Sequence, residues 1–352
     1  MLIDMDIESL VDKLKNYDGR DITIMEVCGS HTAAISKNGI KSILSDKIHL
    51  ISGPGCPVCV TPTAYVDKLI ELAFRERTTV VTFGDLLRVP GSKESLQQAV
   101  SKGASVKMVY SPMDTLKLAH ENSDEEFVFA AVGFETTTPV YAMLLQQIEK
   151  QGITNIKLLT SLKSMPEVIC TLLEDGCDID GFIAPGHVCA VTGAEIFEPI
   201  ARKYNIPFSV CGFEGEELVA GIYALLQMVL KGDCSVKNCY QNAVDQSANP
   251  DMLALVDKYF VSGEASWRGM GIIEGSGRWL RDEYQRFDAG SRGLSEDNKK
   301  NKACACGEIL KGKATPDDCP LFNKVCTPDN PQGACMVSYE GGCATRYKEI
   351  NS

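Results

Sequence analysis

From about residue 20 to residue 212, short apolar runs rich in β-branched residues alternate with amphipathic stretches of helical length. This alternation predicts β-α-β units. Most of the apolar runs are continuous, as expected of parallel strands that are buried on both faces, and right-handed crossover helices would cover those faces. Eight strands are predicted, at Ile22–Val27, Ile48–Ile51, Thr79–Thr82, Val106–Val109, Phe127–Val132, Ile156–Leu159, Gly181–Ala184 and Phe208–Cys211.

The strands suggest an α/β fold with two Rossmann-like parallel-sheet units, residues 1–115 and 116–230, each with four strands. After residue 230 the strand pattern stops, and a segment dense in Cys, Pro and Gly follows. This predicts a third domain, residues 231–352, that is mainly helical or irregular. The longest apolar run, Leu218–Leu230, is shorter than the roughly 20 residues that a bilayer core requires, so we interpret it as a buried helix.

Composition is that of an ordinary globular protein, with 352 residues, 44% hydrophobic and 23% charged. The formal charge of −12 and the short basic clusters argue against a nucleic-acid partner. No membrane association is expected. The N-terminus carries acidic residues where a signal peptide would need positive charge, which predicts a cytoplasmic protein.

Fifteen cysteines are the unusual feature of the composition. Cytoplasmic thiols are kept reduced, so metal binding or redox chemistry explains them better than a disulfide framework. Five predicted strands run directly into loops rich in Gly, Pro, Cys, His or Thr, at the carboxyl ends where open α/β sheets bind ligands. These loops are Cys28–Thr32, Gly53–Cys59, Gly133–Pro139, Pro185–Cys189 and Cys211–Glu214.

The C-terminal segment contains six cysteines within forty residues: Cys304, Cys306, Cys319, Cys326, Cys335 and Cys343. The last four are spaced by seven, nine and eight residues. Zinc sites favour cysteines two to four apart, whereas a 4Fe-4S cluster has no fixed short spacing, so these four are the predicted cluster ligands. Zinc and unrelated buried thiols stay open as alternatives. The first two could be additional ligands or a redox pair.

Cys56 and Cys59 form a Cys-Pro-Val-Cys motif between a strand and a helix predicted to open near Thr61-Pro62. A helix N-terminus stabilises a thiolate, and the motif itself lowers a cysteine pKa. A reactive dithiol or a metal-binding pair is therefore predicted. A tight turn with incidental thiols is the alternative.

Three further loops carry candidate chemistry. Cys28 precedes His31 by three residues, a pair that could bind one metal or activate the thiol. Glu135 is followed by three threonines, which could orient a small polar ligand or cap a helix. His187 and Cys189 are a possible ligand or proton-transfer pair. Structural roles remain open for all three loops, and four cysteines receive no function: Cys170, Cys177, Cys234 and Cys239.

Taken together, the sequences MEVCGSHT, SGPGCPVCVTP, VGFETTTP, APGHVCAVTG, CGFE and the Cys-rich tail resemble the HypD family of hydrogenase maturation proteins. The resemblance extends from about residue 20 to residue 345. It implies an assembly scaffold more than a turnover enzyme. With the chaperone HypC, such a scaffold builds the Fe(CN)2CO centre of NiFe-hydrogenases, and a transient contact with the cyanide donor HypE is also implied.

The resemblance also implies roles for individual residues. Cys28 would be the thiolate that anchors iron, shared with a cysteine of HypC. Cys56 and Cys59 would be a redox-active thiol pair. The cluster-binding cysteines would be Cys319, Cys326, Cys335 and Cys343.

Two other functional classes compete with this interpretation. The first is an iron–sulfur thiol-disulfide oxidoreductase, which would not need Cys28 beside His31. The second is nucleotide-dependent catalysis, because a Gly-rich loop before a helix can bind phosphate. It ranks last, since neither GxxxxGK[ST] nor GxGxxG occurs in the sequence.

Overall fold

The structure is a computed structural model that describes residues 6–298 and 301–351. The N-terminal residues 1–5, on which the localisation argument partly rests, lie outside the described residues. Within them the chain forms eleven strands: β1 Ile22–Glu26, β2 Ile48–Ser52, β3 Thr78–Thr82, β4 Val106–Met108, β5 Glu126–Gly133, β6 Ile156–Lys163, β7 Gly181–Ala184, β8 Phe208–Val210, β9 Val236–Asn238, β10 Phe260–Trp267 and β11 Gly271–Leu280.

Fourteen α-helices occur in the same described residues: α1 Ile7–Lys15, α2 Gly29–Lys37, α3 Thr63–Ala73, α4 Gly84–Leu87, α5 Leu96–Val100, α6 Asp114–Glu121, α7 Thr138–Gln151, α8 Met165–Glu174, α9 Gly186–Thr192, α10 Glu198–Tyr204, α11 Gly215–Lys231, α12 Pro250–Tyr259, α13 Cys306–Leu310 and α14 Gly342–Asn351. Short 3-10 segments span Ile40–Ile43, Ala194–Phe197, Asp282–Phe287, Pro316–Asp318 and Ala334–Met336.

The strands assemble into two separate sheets, as predicted for an α/β fold. The first sheet has the order β2-β1-β7-β8-β9 and is entirely parallel. The second has the order β10-β11-β6-β5-β3-β4, in which β3 to β6 are parallel and the β10–β11 hairpin joins antiparallel to β6. The fold class is therefore confirmed, and all eight predicted strands form.

Two consecutive units with a boundary at residue 115 would place the first four strands in one sheet and the next four in the other. The observed sheets divide the strands differently. The first sheet takes β1 and β2 from the start of the chain and β7 to β9 from residues 181–238. The second takes β3 to β6 and the hairpin. The expectation that strands stop after residue 230 was wrong, because β9, β10 and β11 all follow it.

The predicted helix over Leu218–Leu230 is confirmed as α11. A capping box of Glu214 and Glu217 begins it, and Gly232, with φ of 66°, ends it in the left-handed region that glycine favours. Its apolar side packs against β7 and β8, so the run is buried by the first sheet. No helix in the described part of the chain is long and apolar enough to cross a membrane.

One core cluster joins both sheets to the Cys-rich tail. It contains Met25 of the first sheet, Val27 just after β1, and Trp267 of the second sheet. The tail cysteines belong to the same cluster, among them Cys319 and Cys335. The tail therefore packs on one face of the first sheet and reaches the loops at the carboxyl ends of the strands. This arrangement positions the candidate site.

Candidate metal and thiol site

Cys28 lies two residues after the end of β1 and is the N-cap residue of α2. Its backbone N–H donates to Oε2 of Glu26 at 2.9 Å, and the hydroxyl of Thr32, one turn along α2, donates to Oε1 of the same carboxylate. Ser52, which lies opposite Glu26 on β2, also bonds to this carboxylate. A buried carboxylate thus fixes the backbone at the predicted iron anchor.

The loop of Cys28 is in direct backbone contact with the Gly53–Cys59 loop, which carries the dithiol. Gly29 N–H donates to the carbonyl of Gly55 at 2.9 Å. A side chain at Gly55 would place its Cβ 2.2 Å from the amide nitrogen of Cys28, so only glycine allows this approach. The structure therefore brings together two motifs that are separated by nearly thirty residues of sequence.

The Cys28 thiol is buried, and burial raises its pKa to about 12. The backbone N–H groups of His31 and Ser30 act in the opposite direction, whereas the carboxylates of Glu26 and Glu340 add to the rise. Without a metal the sulfur is consequently a neutral thiol. Binding a cation there would have to displace the proton, which is the usual coupling between a metal and its cysteine ligand.

His31 is completely buried beside this thiol. Its Nε2 lies 3.2 and 3.1 Å from the carbonyl oxygens of Cys211 and Gly212, so Nε2 carries the proton and donates it. The other ring nitrogen, Nδ1, is buried without a hydrogen-bond partner. Burial lowers the pKa of His31 to about 4, which keeps the ring neutral. His31 therefore offers an unused lone pair inside the site.

The ring of Phe213 stacks between two histidines. Its centroid lies 4.6 Å from that of His31 and 4.0 Å from that of His187. His187 is exposed, whereas Cys189, on the same helix α9, is buried. The structure therefore places His187 at the rim of the site and Cys189 in the core below it.

One carboxylate oxygen of Glu135 accepts two hydrogen bonds, and the other has no partner. Its Oε1 accepts from the Ser164 hydroxyl at 3.0 Å and from the Met165 N–H at 2.8 Å, at the start of α8. Its Oε2 is buried without a partner, and burial raises the pKa of the carboxyl group. The charges of Glu135 and Cys28 both act on Cys189, so the three groups lie within electrostatic reach of one another.

The structure brings the two thiols of the Cys-Pro-Val-Cys motif together. The Sγ atoms of Cys56 and Cys59 lie 2.7 Å apart, both residues are buried, and neither is in a disulfide. The helix that follows, α3, begins only at Thr63. Burial consequently dominates and raises the pKa of Cys59 well above its ordinary value, in contrast to the lowered value expected from the sequence.

All six tail cysteines are buried close to one another, and we call them the tail thiol cluster: Cys304, Cys306, Cys319, Cys326, Cys335 and Cys343. Within the cluster, the Sγ atoms of Cys306 and Cys335 are 2.8 Å apart. Cys335 also interacts with Cys59, and thus links the cluster to the dithiol. The charges of Cys304 and Cys319 act on Cys326, and both also act on Cys343.

The donor set suits an iron–sulfur cluster. Four buried thiols remain once Cys306 and Cys335 are paired, and the Gln332 N–H donates to the Cys326 sulfur at 3.3 Å, the kind of bond that tunes such clusters. Among the residues described, no three Cys, His, Asp or Glu side chains are grouped to hold a single metal ion. A 4Fe-4S cluster places an inorganic core between its thiolates, so its ligands need not lie as close together as those of a single ion.

Sequence reasoning missed the carboxylates around Cys28. Glu26 is an acidic residue inside an apolar strand, a signal that was present in ITIMEV. Glu340 comes from the tail, where its Oε1 accepts from the Ser30 hydroxyl at 2.7 Å. That contact joins residues 310 positions apart, and nothing in the local sequence indicated it.

Comparison with known proteins identifies the family of the chain. The profile of the family HypD, described as the hydrogenase formation hypA family, matches residues 5–349. The chain is 42% identical over 333 residues to hydrogenase maturation factor HypD of Escherichia coli (strain K12), covering 94% of this chain and 89% of that protein.

Two further relatives match over a similar length of the chain. HypD of Rhodobacter capsulatus is 40% identical over 351 residues, covering 97% of this chain and 93% of the relative. A putative hydrogenase expression/formation protein of Methanocaldococcus jannaschii is 39% identical over 346 residues, covering 97% and 96%. The chain therefore belongs to the HypD family of hydrogenase maturation factors.

Proposed function

We propose that this chain is the scaffold on which an iron ion receives cyanide and carbon monoxide for the active site of NiFe-hydrogenases, with Cys28 as its anchor. The observation that carries the proposal is the contact of two loops. The backbone of Cys28 is fixed by Glu26 and packed against Gly55, directly beside the dithiol of Cys56 and Cys59. A soft thiolate suits low-valent iron, which strong-field ligands such as cyanide stabilise.

Membership of the HypD family supports the two partners that we propose. A HypC-type chaperone would supply a second cysteine to the iron, and a HypE-type protein would deliver cyanide in a transient contact. Around Cys28, the buried carboxyl groups of Glu26 and Glu135 have raised pKa values, whereas burial keeps His31 neutral with a free lone pair on Nδ1. We propose that the two carboxyl groups take up protons released when iron and its ligands bind.

For the resident cluster we propose Cys304, Cys319, Cys326 and Cys343 as ligands. The sequence placed Cys335 in this set, but its sulfur lies 2.8 Å from Cys306 and interacts with Cys59. Cys306 and Cys304 both act electrostatically on Cys343, and Cys304 also acts on Cys326, which supports Cys304 as a neighbour in the quartet. When bound, a 4Fe-4S cluster would supply electrons one at a time.

The remaining four thiols form a row from the tail to the dithiol, and we propose that they exchange disulfides. If Cys56 and Cys59 are oxidised, the Cys335 sulfur attacks that of Cys59 and the Cys56 thiolate leaves. Cys306 then attacks Cys335 and releases Cys59. The dithiol gains two electrons, and a Cys306–Cys335 disulfide remains.

The test is anaerobic purification of the chain with a HypC-type chaperone, followed by infrared spectroscopy in the cyanide and carbonyl stretching region. The wild-type complex should show these bands. Cys28→Ala should abolish them completely and keep the iron–sulfur absorbance, whereas Cys28→Ser should fail as well because its oxygen is a harder ligand. Cys234→Ala, which changes a thiol at the surface end of β9, is the control.

Bands that persist in Cys28→Ala would place the anchor elsewhere, and a wild-type complex without bands would remove the proposal. The row of four thiols also favours a second candidate, a thiol-disulfide oxidoreductase. That function predicts reduction of a protein disulfide at a rate that Cys28→Ala does not change.

A further inference from the structure

Two cysteines outside the proposed thiol row lie side by side at the ends of neighbouring parallel strands. β8 pairs with β9 so that Val210 is opposite Asn238. The ladder continues by one bond, from the Cys239 N–H to the Val210 carbonyl at 2.9 Å. Cys211 and Cys239 therefore occupy the next pair of opposite positions.

Their side chains point to the same face of the sheet, toward α11. The hydroxyl of Ser209 lies 3.6 Å from the Cys211 sulfur and 3.7 Å from the Cys239 sulfur. On α11, a Cβ at Gly221 would be only 1.9 Å from the Cys211 sulfur, so this glycine makes the room that the sulfur occupies. Both sulfurs thus share one polar neighbour in one layer between sheet and helix.

This arrangement meets the geometric requirement for a disulfide. Adjacent strands lie roughly 4.7–4.9 Å apart, and bridged cysteines have Cα atoms about 4.4–6.8 Å apart. Because the two side chains lie on the same face, rotation of the side chains together with a local adjustment of the two strand ends would join the sulfurs.

The two thiols differ in access. Cys211 is fully buried, whereas Cys239 is half-buried and lines an open cleft of about 820 Å³ between α11 and the β9 edge. Lys237 and Lys231 line the same cleft. A small disulfide can therefore reach Cys239 from solvent, while Cys211 can react only with a sulfur that is already inside the fold.

We propose that Cys211 and Cys239 are a redox modification site that forms an internal disulfide with a low-molecular-weight disulfide such as oxidised glutathione. The Cys239 thiolate attacks one sulfur of the reagent, which releases one equivalent of its thiol and forms a mixed disulfide. The Cys211 sulfur then attacks Cys239 and releases the second equivalent. Two cysteine thiols are oxidised, and one reagent disulfide is reduced.

The same bond would act on the iron site through His31. The carbonyl oxygens of Cys211 and Gly212 are the acceptors for Nε2 of His31, and Phe213, the next residue, stacks on its ring. Cross-linking Cys211 to β9 changes the position of these carbonyls relative to α2. We infer that oxidation of the pair alters the hydrogen bonding of His31.

The experiment treats the full chain with oxidised glutathione under argon, blocks free thiols and maps tryptic peptides. Cleavage at lysine separates residues 204–231, 232–237 and 238–258, so Cys211, Cys234 and Cys239 fall on different peptides. The expected product is 204–231 linked to 238–258, with complete loss of labelling at both cysteines and recovery after reduction. The Cys239→Ser variant should lose the product, whereas Cys234→Ser should keep it.

Histidine NMR on the same samples tests the coupling. The signals of His31 should shift on oxidation, while those of His49 and His120, which are bonded elsewhere, should not. The shift should be absent in oxidised Cys239→Ser. Cys239 that links to Cys234, or that stays alkylatable together with Cys211 after oxidation, would overturn the site. A cross-link formed without a shift at His31 would overturn the coupling.

Discussion

Cys28 and the tail thiol cluster are both buried sulfur sites, but their surroundings differ in kind. Cys28 is surrounded by carboxylates and an imidazole: Glu26 and Glu340 raise its pKa, and His31 lies within the same turn of α2. In the tail, the charges that act on Cys343 are those of other cysteines. One site mixes a single thiol with proton acceptors, and the other is made of thiols alone.

This difference suggests how each site treats a metal. Each tail thiolate raises the pKa of the next, and a metal core removes that repulsion, so the cluster suits a permanent cofactor. At Cys28 a single thiolate competes with its own proton, and neighbouring groups can return that proton. Such a site suits a metal that is loaded and then passed on.

The largest expected effect separates the two sites by removing cluster ligands. Cys304→Ala should lose all iron and acid-labile sulfide, and the Tm should fall by roughly 10 °C, corresponding to about 4 kcal/mol for loss of a tightly bound group. Cys319→Ala should behave in the same way. Metal analysis and thermal unfolding of anaerobically purified protein measure both effects.

Cys335→Ala is the matched control, since it removes a tail thiol that we pair with Cys306. It should keep four irons per chain, the number in a 4Fe-4S cluster. If Cys335→Ala bleaches the protein and Cys304→Ala does not, the quartet predicted from the sequence is correct and our revision of it is wrong. Stoichiometric zinc in place of iron would reject the cluster.

The positions of individual strands were easier to predict from the sequence than the pairing of those strands into sheets. All eight predicted strands formed, and most of them are buried apolar runs that the sequence alone displays, although β4 is largely exposed. The strand β9 was missed because its sequence, VKN, has only one apolar residue, and the β10–β11 hairpin because Gly263, Gly275 and Gly277 interrupt its pattern. Which strands share a sheet depends on long-range pairing, so the sequence could not predict how the strands divide between the two sheets.

The candidate site shows the same limit. Its thiols were all visible as residue types, but the pairing of Cys306 with Cys335 spans 29 residues and depends on how the tail folds. The spacing of cysteines therefore suggested a quartet without fixing its members. Burial likewise reversed the expected direction for the pKa of Cys59, because the distance to the start of α3 was not known from the motif.

The second effect concerns the carboxylate under Cys28. Burial raises the pKa of Glu26 to about 7 from 4.5 in the unfolded chain. Between these values the unfolded state ionises first, so stability falls as pH rises, by about 3 kcal/mol in total. Glu26→Gln cannot ionise and should be free of this loss. Urea unfolding of the metal-free protein at pH 5 and pH 8 measures the difference.

Glu71→Gln is the control for that comparison, because Glu71 is exposed on α3 and its pKa is lowered by Lys68 and Arg75. Because Glu26 is still present, Glu71→Gln should lose stability between pH 5 and pH 8 to the same extent as the wild type. Equal pH dependence in the wild type and in Glu26→Gln would mean that Glu26 is ionised throughout. The carboxylate would then belong to a permanent charge network, and the contrast with the tail would weaken.

The smallest expected effect on stability is at Cys56 and Cys59, which lie between the two regions: Gly55 contacts Cys28, and Cys59 interacts with Cys335. With sulfurs 2.7 Å apart, the pair should change between dithiol and disulfide with little shift in Tm, since the bond closes a loop of only four residues. Mass spectrometry of alkylated protein should detect the Cys56–Cys59 link after oxidation and two labelled thiols after reduction. The Cys306→Ala variant should keep the link but slow its reduction by the tail. If the pair resists oxidant and alkylating agent until a chelator is added, it is a metal site that belongs with the tail, and the thiol row has no acceptor at its end.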